Sequence, residues 1–378
     1  MAYRLGVVGL GHWFEMMHKG ISKSNQIVLS KVAGVRSFDE KREEMERIGI
    51  KEKDYFQIRD NLLYIPDEFF DELDIVQISD PNMYHSSQTR AALKKGLFVI
   101  TEKTWATSAA EFDDFVKFVE DNGYQGKAYL HLHYLHKLLN LNLPAILERI
   151  VPKHGRITNF SATFFEEANE ADMRRSSWMF SMENGGIFMD WIHPYEILFV
   201  GAKAEKIGIY RMGNFILNSD YDPSNPTGVE AFVNVSGRYF AENAKGVIRI
   251  GKGLPHETGL KRIVFMLESG KKLYLNFVGS QIEYNSDSRG DWRLVAESSE
   301  SCDIIESGIP KGPLTSELLV KDILDMFSGG KPFLTLDMAI KIFGPQWDYQ
   351  RLSREQKNIS NQGETDRFIH EGLSSGLA

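Results

Sequence analysis

Only one cysteine, Cys302, occurs in the 378 residues, so no disulfide closes within the chain. A reducing compartment, the cytoplasm, is the expected setting. No stretch approaches the roughly 18 apolar residues of a membrane-spanning helix, and no membrane partner is expected. The opening MAYRLGVVGLGHW is too short and too glycine-rich in its apolar part for a signal peptide. Positive charge is in deficit: 44 Lys and Arg face 52 Asp and Glu, a net charge of −8. That argues against nucleic acid as a partner. The remaining composition, 42% hydrophobic and 25% charged, excludes a mostly disordered chain. At roughly 100–200 residues per domain, the length suggests two or three domains.

The first third alternates apolar runs with amphipathic stretches. Strands are predicted at Arg4–Gly9, Ile27–Arg36, Ile75–Ser79 and Leu97–Thr101. Helices are predicted at His12–Ser22, Asp39–Ile48, Gln88–Lys95 and Ala109–Asn122. Alternation of this kind implies parallel strands joined by right-handed crossovers. Near-continuous apolar strands imply that both faces of that sheet are covered. The fold class is therefore α/β, a doubly wound parallel sheet over residues 1–127. From residue 128 to 355 the segments lengthen and alternate: Arg156–Phe165, Val229–Phe240, Gly246–Gly251, Leu260–Leu267 and Lys271–Phe277. Glu268-Ser269-Gly270 between the last two signals a hairpin. A largely antiparallel sheet is expected there. Helical patterns return at Ser316–Phe327 and Leu336–Leu352, and the second of these is a candidate to pack back on the first domain. Residues 356–378 read as a polar tail.

The first strand runs into Gly9-Leu10-Gly11-His12-Trp13-Phe14, and a helix follows. In the dinucleotide fingerprint the first glycine makes the turn, and the second lets the backbone approach a pyrophosphate. The helix N-terminus then offers free N–H groups to the phosphates. Phe14 holds the position where a third glycine or alanine is usual, so helix and strand must pack differently. The second strand ends in Val35-Arg36-Ser37, with Arg36 where an NAD-binding chain carries an acid. A guanidinium suits a 2′-phosphate. NADP(H) is thus expected over NAD(H), against the alternative that Arg36 stacks on adenine or points to solvent.

A second cluster reads DIVQISDPNMYHSSQTRAALKKGLFVITEKTWA from Asp74 to Ala106, and a third, WMFSMENGGIFMDWIH, runs from Trp178 to His193. With the glycine loop, these resemble the Gfo/Idh/MocA oxidoreductases. Pro81-Asn82, His85, Gly96 and Glu102-Lys103 match in order and spacing, and Asp190 and His193 match a later helix. The resemblance implies a Rossmann domain followed by an α/β domain with a large open sheet. It implies hydride transfer between a nicotinamide and a secondary hydroxyl or carbonyl of a sugar, polyol or related small molecule. It also implies assembly as a homodimer or homotetramer. On the cofactor side it points to Asp80, Pro81, Asn82, His85, Glu102 and Lys103, beside Gly9, Gly11, His12, Trp13, Phe14, Arg36 and Ser37. A regulatory protein of the same fold, sensing cofactor or sugar without turnover, is the alternative.

The resemblance makes Lys103 the cation that holds the reacting oxygen. Histidine is the usual base near neutral pH, so His193 is the expected proton acceptor, with Asp190 orienting it or the substrate. Three apart on one helix, the two share a face. Pro194, directly after His193, raises the alternative of a helix that only starts there. Thr104 stands where the family carries proline after the lysine. In Tyr129–His136 a strand would put His131 and His133 on one face. Three close histidines raise the question of zinc, but no cysteine or His-Glu-x-x-His motif accompanies them. The preferred reading is a substrate-pocket lining, with His133, Tyr134 and His136 as contacts and no metal. Trp13 and Trp105 wall the nicotinamide or belong to the core.

Overall fold

The computed structural model describes residues 2–58, 64–167, 186, 188–198, 215–221, 230–238, 245–254, 260–277, 289–297, 301–330 and 336–356. Two compact units emerge. One comprises Met1–Leu132 and Ser316–Lys341, the other His133–Thr315 and Ile342–Ala378. The expected polar tail, beyond residue 356, lies outside the described residues.

The first unit runs β1 (Tyr3–Val8), α1 (His12–Ile21), β2 (Ile27–Gly34), α2 (Phe38–Arg47), β3 (Tyr55–Gln57), α3 (Asp67–Phe70), β4 (Ile75–Ile78), α4 (Asn82–Lys94), β5 (Phe98–Glu102), α5 (Ala109–Asp121) and β6 (Ala128–His131). All pairings are parallel, in the order β3-β2-β1-β4-β5-β6. This is the doubly wound order, with its switch point between β1 and β4. The central strands are buried from Leu5 on in β1 and along all of β4: Val7, Val8, Ile75, Val76 and Ile78 are all inaccessible to solvent. Their apolar sequence follows from cover on both faces. On one flank Val32, Phe38, Met45, Ile50 and Tyr55 pack together.

The later segment of this unit is held by named contacts. Phe327 packs on Tyr3 and Phe98, with ring centroids 4.3 and 5.0 Å away. The Tyr129 hydroxyl donates to Asp322 at 2.7 Å. On α1, a side chain at Gly20 would meet the Ser316 carbonyl oxygen at 2.4 Å, so the close approach needs glycine. The returning segment is Ser316–Lys341, not the whole of the predicted 336–352 helix.

The second unit contains α6 (Leu138–His154), β7 (Ile157–Glu167), α7 (Phe188–Glu196), β8 (Phe215–Tyr221), β9 (Glu230–Arg238), β10 (Lys245–Leu254), β11 (Leu260–Leu267), β12 (Lys272–Asn276), β13 (Asp291–Glu297) and β14 (Cys302–Gly308). The chain then continues in α8 (Thr315–Phe327), assigned to the first unit from Ser316 on, and α9 (Leu336–Gln356), assigned to the first unit up to Lys341 and to the second from Ile342. The sheet order is β14-β13-β12-β11-β7-β10-β9-β8. Among the described residues only β7 and β10 pair in parallel, so the sheet is mostly antiparallel as expected. On β11, Ile263, Phe265 and Leu267 are buried and their neighbours are half-buried, the alternation of a sheet with one well-covered face. Helix α7 packs on β7 and β10. The predicted hairpin is present as β11 and β12, with Gly270 at φ +79°.

Two expectations are corrected. Helix α4 starts at Asn82, not Gln88, because Pro81 serves as its N-cap and the polar run after it is already helical. In Tyr129–His136 the strand ends at His131, and residues 133–136 form turns. His131 and His133 therefore do not share a strand face.

Candidate active site

The switch point of the first sheet is where a doubly wound fold binds its ligand. Gly9 follows β1 there with φ +87°, a left-handed conformation that favours glycine. A Cβ on it would lie 2.7 Å from both the backbone nitrogen and Oδ1 of Asp80, which follows β4. Gly9 is thus required twice over, by its dihedral and by the close approach of Asp80. Gly11 is the N-cap of α1. It makes no side-chain cap, and a Cβ there would meet nothing within 4 Å. The start of α1 thus has room beside Gly11 and no side-chain cap; Phe14 N donates to Gly11 O at 3.0 Å, and a dinucleotide's pyrophosphate fits the N–H groups ahead of it. Phe14, in the third fingerprint position, is 2% exposed and fills the core beside His18, ring centroids 5.6 Å apart. The side chains of His12 and Trp13 lie outside the described residues.

Arg36 is exposed beyond β2, and no hydrogen bond or ion pair holds its guanidinium among the described residues. Ser37 is committed to α2. Its hydroxyl accepts from Glu40 N at 3.3 Å, and Glu40 Oε2 accepts from Ser37 N at 2.8 Å. This reciprocal cap holds the Glu40 carboxyl below its ordinary value, with Arg36 adding to the effect. Ser37 thus sets the start of α2 directly after Arg36.

Asp80, half-buried, accepts from Gln88 Nε2 at 2.7 Å. Burial pushes its carboxyl up to about 6 in spite of that bond. Pro81 and Asn82 open α4, with Asn82 buried. His85 is buried one turn in. Its Nδ1 lies 2.6 Å from the Thr104 carbonyl oxygen and its Nε2 2.6 Å from that of Asp80. Burial pulls this imidazole below its ordinary value, opposed by the two carbonyl hydrogen bonds and by Glu102.

Lys103 is half-buried just past the carboxyl end of β5, in a heavily anchored turn. Glu102, 3% exposed, accepts from its neighbour's backbone at 3.2 Å and meets His131 Nδ1 at 2.5 Å. Its carboxylate therefore faces His131. The Lys103–Thr104 peptide is cis. Thr104 is inaccessible, and its hydroxyl is bound to the backbone of Ala106, donating to the carbonyl and accepting from the nitrogen. That hydroxyl supports the turn from within. Trp105, 1% exposed, packs on Phe112 and Phe115 with centroids 6.5 and 5.2 Å away, and so belongs to the core.

In the second unit, α7 carries both Asp190 and His193. Pro194 lies inside the helix, not ahead of it. His193 Nε2 stands 3.7 Å from Asp190 Oδ1, and His193 Nδ1 stands 3.3 Å from Glu196 Oε1. The histidine is 3% exposed and Glu196 fully buried. Tyr134 and His133 pack on the same imidazole with centroids 4.6 and 4.8 Å away. Two ammonium groups, of Lys137 and Lys261, lie 5.4 and 5.9 Å from the Tyr134 ring centre. His136 is buried in the turn before α6. The fold thus brings together Asp190, His193, His133 and Tyr134, and adds Glu196 and Lys137, which sequence reasoning missed. Glu196 had a signal: it is three residues beyond His193, one helical turn on. Among the described residues no three His, Cys, Asp or Glu side chains are grouped to hold a metal ion. Nor is any helix long and apolar enough to cross a membrane.

A parallel sheet with this order, a glycine turn at its switch point and a lysine past β5 define a nucleotide-binding unit of the Rossmann class. Residues 3–128 match the Gfo/Idh/MocA model, described as an oxidoreductase family with an NAD-binding Rossmann fold. A comparison with curated protein sequences returns no match. Among solved structures, the aldose-aldose oxidoreductase from Caulobacter crescentus, complexed with glycerol, aligns at 15% identity and TM-score 0.70, covering 96% of this chain and 100% of that one. A levoglucosan dehydrogenase in complex with NADH and levoglucosan aligns at 15% identity and TM-score 0.70, covering 95% and 98%. A 3-ketoreductase from Actinomadura kijaniata, with TDP-benzene and NADP, aligns at 15% identity and TM-score 0.65, covering 94% and 98%. At this identity the likeness is one of fold, and it extends over both units.

Proposed function

We propose that the protein transfers a hydride between NADP(H) and a secondary hydroxyl or carbonyl carbon of a sugar, polyol or related small molecule. The observation that carries this reading is the closure of Gly9 on Asp80 at the switch point, with Gly11 opening an uncapped helix start. A bound nicotinamide would supply the hydride acceptor or donor. The chain's own residues would do the rest. The N–H groups of α1 bind phosphate, and the exposed Arg36 pairs with a 2′-phosphate through its forked donors. Lys103 holds the reacting oxygen and stabilises negative charge on it. His193 takes or returns the hydroxyl proton. A base within hydrogen-bond reach of an orienting acid is the usual arrangement, and Asp190 and Glu196 flank this one. His133, Tyr134 and His136 contribute to the substrate side. The sugar-binding and NADH- or NADP-binding proteins of the same fold support this class of substrate and cofactor.

The test is a parallel fluorescence titration of the purified protein with NADPH and NADH. Tighter NADPH binding, weakened selectively in Arg36→Asp, supports the reading and directs a sugar and polyol screen. NADH preference would overturn the role of Arg36 alone. Binding of neither would sink the oxidoreductase reading. Turnover lost in Lys103→Ala with cofactor binding retained distinguishes an enzyme from a sensor.

A further inference from the structure

We propose that His85 is a positioning residue that braces the turn after β4 against the turn after β5, so that one buried side chain sets both the cofactor loop and Lys103; this rests on the oxidoreductase reading above. Each ring nitrogen stands 2.6 Å from a backbone carbonyl oxygen, Nδ1 from that of Thr104 and Nε2 from that of Asp80. His85 is 1% exposed, and both of its ring nitrogens face these two chain segments. Asp80 is the residue packed on Gly9, and Thr104 directly follows Lys103. A shift at either end of the imidazole therefore moves one half of the site. Buried carbonyl oxygens need a donor, and a rigid ring with nitrogens on opposite sides can serve two at fixed separation. A neutral ring donates through one nitrogen at a time and a protonated ring through both. Two charged groups act on this ring. Glu102, which leads into the Lys103–Thr104 turn, favours its charge, and Lys103 opposes it.

Two conservative variants separate the two ends. In His85→Asn the side-chain amide nitrogen takes the place of Nδ1 and retains the donor to Thr104. In His85→Gln it takes the place of Nε2 and retains the donor to Asp80. Two readouts are made on the full chain: the dissociation constant of the tighter of NADPH and NADH, by fluorescence, and the rate of Lys103 acetylation by trace acetic anhydride, by mass spectrometry. His85→Asn is expected to weaken cofactor binding about fivefold, the effect of one net hydrogen bond, while Lys103 acetylates as in wild type. His85→Gln is expected to keep cofactor affinity and to change the Lys103 rate about fivefold. Variants that match wild type in both readouts overturn the brace. So do variants that lose both readouts alike while melting as wild type does, because that is a general structural role. If neither variant folds, the wild type labelled with 15N-histidine decides: slow exchange of a His85 ring N–H is expected, and fast exchange overturns the proposal. Failure of the wild type to bind either cofactor would overturn the oxidoreductase reading instead, and the Lys103 rate in His85→Gln would still judge the brace.

Discussion

Gly9 and Asp80 touch so closely that a single methyl group on residue 9 would stand 2.7 Å from the backbone nitrogen of Asp80. The contact joins the turns after β1 and β4, the two strands that flank the switch point. Gly9→Ala must either push the Asp80 turn away or abandon φ +87°. The left-handed conformation alone costs about 1–2 kcal/mol, and overpacking against backbone adds about 1–3. The expected outcome is a fall in melting temperature and a loss of cofactor affinity of at least about tenfold. Gly11→Ala, with open space around its Cβ, should melt as wild type does while losing affinity. Denaturation curves and NADPH titrations of both variants check this.

Asp80 makes the stability of the fold depend on pH with an unusual sign. Its carboxyl is pushed up to about 6 from an ordinary value of 3.8 by burial. The folded state then binds more protons than the unfolded one between those values, so this group's contribution falls as pH rises from about 4 to about 6 and is constant above. The full span corresponds to about 3 kcal/mol at most. Asp80→Asn should therefore be more stable than wild type at pH 7, with the gain disappearing near pH 4. Urea denaturation at pH 4, 5, 6 and 7 measures it. A gain that persists at pH 4 would show that ionisation is not the cause.

The sequence made the first sheet legible because its strands are short apolar runs buried on both faces, with caps that sequence can show, such as Ser37 before α2. The long helix α6 was not legible. Pro144 and Pro152 lie inside it, and an interior proline argues against a helix since it has no N–H to give. Glu196 lay one turn beyond His193 on the expected helix, but Pro194 between them raised the alternative of a helix that only starts there, and the signal was not followed. The glycine loop could be proposed from its spacing after β1, and Lys103 from the family resemblance. The two carbonyls that receive His85 could not, because Asp80 and Thr104 contribute backbone atoms that carry no residue signature.

Phe14 stands where the dinucleotide fingerprint has glycine or alanine, and restoring that consensus should harm the protein. The ring is 2% exposed in the core of the first unit. Truncating a buried phenylalanine to alanine costs about 3–5 kcal/mol, and a helical glycine costs about 1 more. Phe14→Ala and Phe14→Gly are thus expected to melt well below wild type, in that order. Thermal melts with and without NADPH check this. A glycine variant as stable as wild type would mean that Phe14 is not part of the core that holds α1.

Glu196 supplies the last test, because it separates an orienting acid from a bystander. It is fully buried and meets Nδ1 of His193 at 3.3 Å, while Asp190 lies 3.7 Å from Nε2. A carboxylate on Nδ1 fixes the proton on that nitrogen and leaves Nε2 as the base, the logic by which an acid orients a catalytic histidine. Glu196→Gln keeps size and burial but also offers an N–H, which favours the opposite tautomer. Once a substrate is found, Glu196→Gln should lower kcat about 100-fold, the low end of what a positioned base contributes, with cofactor affinity unchanged. His193→Ala should lower kcat at least as far, and the double variant should be no worse than His193→Ala alone, because Glu196 acts through the histidine. Additive losses in that cycle would mean that Glu196 works on something other than His193.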